Sequence, residues 1–192
     1  MNTIINFTNI CGNIITEQQL QMSGSYYKNY FTNGLLKKTE NFVNNSLVYV
    51  RYNLDDGESI GNVISSYNSS IKISFFKVVS IQNNHNELSV KTYISGNLVS
   101  ESTFVEKIDS DEEIIYDKTV NTSNGVIITY EKYYYENDEL RYVFEYFDNG
   151  DVYMINSIDG NDTEVIHHQS DSFANFDWTG LDYYKKGIPV FP

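Results

Sequence analysis

Residues 132 to 160, KYYYENDELRYVFEYFDNGDVYMINSIDG, set eight Tyr or Phe side chains among seven carboxylates, with Lys132 and Arg141 the only cations. Paired carboxylates can do general acid and base work, and a glycosidase needs two at a defined separation. Acids are so dense here that spacing along the chain selects no pair. Phenol rings flanked by carboxylates also have a non-catalytic use: they bury an aromatic face, keep a hydroxyl wet and attract Lys and Arg. On this ground Glu131, Tyr133, Tyr135, Glu136, Asp138, Glu139, Glu145, Asp148, Asp151 and Tyr153 are read as a surface for a basic protein partner. The competing reading is cross-strand Tyr stacking that only stabilises a sheet.

Other chemistry finds less support. His167-His168 with Asp171 is the best metal-like group, since imidazole and carboxylate suit zinc or iron. Adjacent histidines on a strand point to opposite faces, however, and only His85 remains to help, so no metal is assigned. Asp109 to Glu113 and Asp159 to Glu164 offer hard oxygen ligands for calcium. The EF-hand spacing fails, because Glu164 stands where the loop needs glycine and Ser170 where it needs a bidentate acid. Both stretches read as solvated turns. Cys11 has no base beside it and reads as an inert thiol. Phosphate-loop, dinucleotide and nucleophile-elbow motifs are missing, so no enzyme activity and no cofactor is assigned.

Charge narrows the partners. The net charge is −13, and Glu101 to Glu164 holds 17 acids against 4 bases, while the remaining 9 acids and 9 bases cancel. Nucleic acid and anionic membrane each require a positive surface and are disfavoured. Solubility accounts for an acidic excess in general terms; a basic partner accounts for its concentration in one third of the chain. With 41% hydrophobic and 15% aromatic residues the chain has enough apolar surface to fold. No Pro-rich or Ser/Gly-rich linker divides it, which predicts one domain over residues 1–192, with segment 1–25 and tail 170–192 packing on or flanking the sheet. The lone cysteine, the lack of a basic, apolar leader and the lack of a long apolar stretch point to the cytoplasm.

The elements that must position these groups are strands. Hydrophobicity alternates with period two through SLVYVRYNL, GNVISSY, IKISFFKVVSI, ELSVKTYI, NLVSESTFVEKI, EEIIYDKTV, GVIITYEKYYY, ELRYVFEYF, DVYMINSI and TEVIHHQ. In ELRYVFEYF, Leu140, Tyr142, Phe144 and Tyr146 share one face, and Arg141, Val143, Glu145 and Phe147 the other. The breaks are short and rich in Asn, Asp and Gly, which suits tight hairpins and leaves no room for crossover helices. The expectation is an all-β antiparallel meander of about ten strands, a strongly curved sheet or incomplete barrel. Short helices are expected near TEQQLQ and DWTGLDYYKK.

Three hairpins, Tyr30 to Val50, Thr92 to Lys107 and Tyr133 to Ile155, share a form: aromatic residues, a turn, Leu, alternation and a further aromatic. Asn33-Gly34, Ser95-Gly96 and Asn137-Asp138 occupy the corresponding turns. This form resembles the tyrosine-rich hairpin units of bacterial MORN-type repeat proteins, some of which are grouped with toxin–antitoxin systems. The spacing between units is irregular, and the glycine-plus-Trp positions usual in that family are missing. The resemblance implies an extended β-meander and a role in interaction. Together these observations predict a non-enzymatic binding protein, in its most concrete form an immunity protein or antitoxin that occludes a basic toxin. The alternative is a β-barrel that holds a lipid or glycan in an aromatic-lined cavity.

Overall fold

A computed structural model describes residues 3–108, 113–160 and 162–192. Asp109 to Glu112, part of one calcium-like stretch, and Asn161, within the other, lie outside the described residues. The strands are β1 (Thr3–Thr8), β2 (Ser25–Thr32), β3 (Leu35–Val43), β4 (Ser46–Asn53), β5 (Lys72–Gln82), β6 (His85–Ile94), β7 (Asn97–Lys107), β8 (Ile114–Asn121), β9 (Ile127–Glu136), β10 (Glu139–Tyr146), β11 (Val152–Asp159) and β12 (Asp162–His167). All belong to one sheet whose spatial order is the order along the chain. The helices are short: α1 (Glu17–Met22), α2 (Ile60–Ser65), α3 (Asp171–Ala174) and a 3-10 turn at Asp182–Tyr184. None is long and apolar enough to cross a membrane.

Turn chemistry explains the meander. Asn33-Gly34, Asn44-Asn45, Asn83-Asn84, Ser95-Gly96 and Asn137-Asp138 each place two successive residues at positive φ. That is the backbone of the two-residue hairpin turn whose twist matches its flanking strands.

One segment departs from the alternation reading. GNVISSY is not a strand: Ile60 to Ser65 is α2, with the Ser59 hydroxyl accepting from the Asn62 N–H. Ile60, Val63, Ile64 and Tyr67 recur at i, i+3, i+4 and i+7, and all four pack on a core of Val50, Ile71, Ile73 and Phe75. The stretch between β4 and β5 is therefore a crossover, and these two strands pair parallel, Tyr49 opposite Lys72 and Val50 opposite Ile73. Strands β1 and β2, paired from Thr3–Thr32 to Thr8–Tyr27, are further strands that precede those the alternation picked out.

The chain groups into two compact units. Unit 1 comprises Met1–Lys77 and Val90–Ser100, and unit 2 comprises Val78–Ser89 and Glu101–Pro192. In unit 1 the cover over the sheet is α2. In unit 2 Phe173, Phe176, Trp178 and Tyr184 of the C-terminal segment pack on Phe144, Tyr146 and their neighbours. The expected strongly curved sheet or incomplete barrel is corrected accordingly. The strand order stays open, with β1 and β12 as its edges. Each unit buries its apolar face under a covering segment of its own, so closing the sheet is not needed to form a core.

Candidate protein-docking surface

The C-terminal cover decides which face of unit 2 remains outward. Tyr116, Tyr130, Tyr146, Phe144 and Ile155 are buried beneath it, and Tyr134, Tyr142 and Tyr184 pack against them. Phe144 stacks on Tyr184 at 4.8 Å between ring centroids and lies 5.8 Å from Trp178. Tyr146 donates to the Tyr184 carbonyl at 2.8 Å, so the phenol stays satisfied inside. Much of the tyrosine excess in this part of the chain is thus core material.

Lys132 is the least expected member of that core. It is fully buried and donates to the carbonyls of Tyr183, Lys186 and Pro189, each at 2.8 Å, with the Tyr183 ring 3.6 Å away. Burial pulls its pKa down to about 7. Against this stand the three acceptors, because only the ammonium form carries three N–H donors. Gly187 lies against the Tyr130 hydroxyl where a methyl group would overlap it, and its N–H donates to the Gly150 carbonyl at 2.8 Å.

The opposite face carries a row that composition does not reveal. Asp117 on β8 lies directly opposite Glu131 on β9, and Glu131 lies opposite Glu145 on β10. Three carboxylates therefore stand side by side across three strands, an arrangement in which like charges cost stability. All three are half-buried. Burial and the Glu131 charge push the Asp117 carboxyl up to about 6, against the pull of a hydrogen bond from Thr119 at 3.0 Å. Glu131 accepts from the Tyr133 hydroxyl, and Glu145 accepts from the Asn156 amide at 2.8 Å. Burial, followed by the Glu131 hydrogen bond, raises the Tyr133 pKa, so this phenol stays a donor.

Cations of unit 2 are committed elsewhere. Lys107 pairs with Glu113, Lys118 sits 4.3 Å from the Tyr130 ring, Lys132 is buried, Lys185 pairs with Asp182 and Lys186 with Asp151. Arg141 reaches Glu139 at 3.2 Å and Glu136 and Asp159 at 3.6 Å each. Among the described residues, Asp117, Glu131 and Glu145 make no ion pair. Unit 2 holds 21 of the 26 acidic residues and 6 of the 13 basic ones, a net −15; unit 1 holds 5 acids and 7 bases, a net +2.

The ten residues singled out from the sequence fall into three places. Glu131, Tyr133, Tyr135 and Glu145 lie on the outward face of β9 and β10. Glu136, Asp138 and Glu139 form the turn at one end of β10, where Arg141 neutralises two of them. Asp148, Asp151 and Tyr153 lie at the other end, about 23 Å away by strand rise. There Tyr153 is 37% exposed and meets Phe147 at 5.0 Å, with His168 against both rings. His167 lies 6.4 Å from Tyr153, so the two histidines join an aromatic cluster. A bulge between Leu140 and Tyr142 shifts the alternation of ELRYVFEYF: Leu140 pairs with Tyr135, which puts it on the outward face and away from Tyr142.

Asp117, Thr119 and Asn156 were not singled out from the sequence. Each sits in an ordinary strand, and only its register against β9 or β10 brings it to the row. No family model, curated protein or solved structure matches the chain.

Proposed function

We propose that this is a non-enzymatic binding protein whose acidic outward face in unit 2 docks a basic protein partner. In its most concrete form it is an immunity protein or antitoxin that covers the cationic, phosphate-gripping site of a nuclease-like toxin. The observation that carries this reading is the row of Asp117, Glu131 and Glu145 on adjacent strands, which among the described residues has no cation beside it while the six cations of the unit are engaged elsewhere. Such a row is unfavourable in the free protein and becomes favourable when Lys or Arg side chains enter it. Half-buried tyrosines beside it, Tyr133 and Tyr135, supply aromatic contact area.

The test is to purify the chain from its source cell with its bound proteins, identify the basic component, and measure affinity for that component against salt. Affinity should fall steeply between low and physiological ionic strength and collapse in the triple variant Asp117→Asn, Glu131→Gln, Glu145→Gln. A partner that binds equally well at high salt and to the triple variant refutes the electrostatic mechanism.

A further inference from the structure

The sheet has two edges, and they differ in chemistry. β1 reads Thr-Ile-Ile-Asn-Phe-Thr, without charge, and part of its free side is taken by the chain itself: the Ile15 N–H donates to the Phe7 carbonyl at 2.9 Å, and Thr8 bridges Ile14. β12 is the other edge, within the acidic unit. It pairs with β11 without a register shift, from Asp159–Asp162 to Met154–His167. Asp162, Thr163, Glu164, Val165 and His167 are exposed, and Ile166 alone is buried.

Backbone direction along β12 follows from its end. The His168 N–H donates inward to the Tyr153 carbonyl at 3.1 Å. Because antiparallel strands alternate the side to which backbone groups point, Ile166, Glu164 and Asp162 turn theirs toward β11. Thr163 and Val165 turn theirs outward, where no further strand follows among the described residues.

We propose that this edge accepts an extended, lysine- or arginine-bearing strand of the basic partner, which pairs with Thr163 and Val165 and sets its cations opposite Asp162 and Glu164. This rests on the reading of the acidic unit as a partner surface and adds to it the manner of docking. A free edge offers main-chain hydrogen bonds to any strand, so selectivity must come from side chains. A second copy of β12 would bring Asp162 and Glu164 against its own acids, which repel. A cationic strand meets opposite charges at the same positions. The acids thus refuse self-pairing and admit one chemical class of partner.

The probe is a ten-residue peptide of alternating Lys and Thr, with a Lys–Gly peptide of equal charge as the control that does not favour strands. Amide exchange and chemical shifts of the full chain are followed by NMR at low salt. The expected result is slowed exchange at Thr163 and Val165 with the Lys–Thr peptide only. Val165→Pro removes an outward-facing donor and no bond to β11, so the variant should keep its native spectrum and bind the peptide about tenfold more weakly. If that variant misfolds, Glu164→Lys serves instead and should weaken the Lys–Thr peptide. Binding of both peptides with shifts confined to Asp117, Glu131, Glu145 and their neighbours overturns strand addition and leaves the acidic surface standing. If neither peptide binds at low salt, strand addition and the electrostatic reading fall together.

Discussion

Replacing Asp117 by Asn should make the protein more stable at neutral pH and leave it unchanged in acid. In the folded chain burial and the facing Glu131 raise the Asp117 carboxyl from the ordinary 3.8 to about 6. The folded state therefore holds the proton more tightly than the unfolded state, and stability falls as pH rises from about 4 through 6. Two pKa units correspond to about 3 kcal/mol at most. Residual solvent contact lowers the expected gain at pH 7.5 to about 1 to 2 kcal/mol. Asn keeps the oxygen that accepts from Thr119, so the substitution removes charge and little else. Urea unfolding followed by fluorescence of Trp178, the single tryptophan, reports on unit 2. The measurement is the difference between variant and parent at pH 4 and at pH 7.5, which cancels the other titrating groups. A difference that is the same at both pH values, or a variant less stable at pH 7.5, refutes the claim that burial and the facing Glu131 hold this carboxyl above its ordinary range.

Three further outcomes follow from the packing. Lys132→Met leaves three carbonyls of the C-terminal segment without their donor and should cost at least about 2 kcal/mol, seen as lowered urea midpoint and altered Trp178 emission. Gly187→Ala pushes a methyl group onto the Tyr130 hydroxyl and should destabilise unit 2 by about 1 to 3 kcal/mol, with the near-ultraviolet tyrosine dichroism reduced. In unit 1, burial alone would raise the Glu40 pKa, but hydrogen bonds from Lys38 at 2.6 Å, Tyr30 at 2.7 Å and Tyr67 at 3.1 Å outweigh it and hold it below the usual value. The stability that Glu40 contributes is fully present above its ordinary carboxylate pKa and is lost as pH falls below that value through the lowered folded pKa, so Glu40→Gln should cost about 2 kcal/mol at pH 7 and remove that acid sensitivity, read from hydrogen exchange at Val50 and Ile73.

Strands and turns were legible in the sequence because both are local. Period-two alternation marks most of the strands from β4 on, and pairs such as Asn137-Asp138 mark a hairpin with no knowledge of anything distant. The alternation reading fails at α2, where Val63, Ser65 and Tyr67 mimic a strand although Ile60, Val63, Ile64 and Tyr67 also fit a helix. Short apolar runs satisfy both periods, and the surface of Val50, Ile73 and Phe75 beneath decides between them.

What the amino-acid order determined by itself was a mostly-β chain with its acids concentrated in one region. Tertiary structure alone decided which side of that region is covered, since Trp178 and Tyr184 come from a segment far along the chain and turn Tyr134 and Tyr142 inward with Lys132. It also decided that Asp117, Glu131 and Glu145 stand in one line, because alignment across strands is set by turn lengths and bulges acting together, a relation that no single stretch of residues contains.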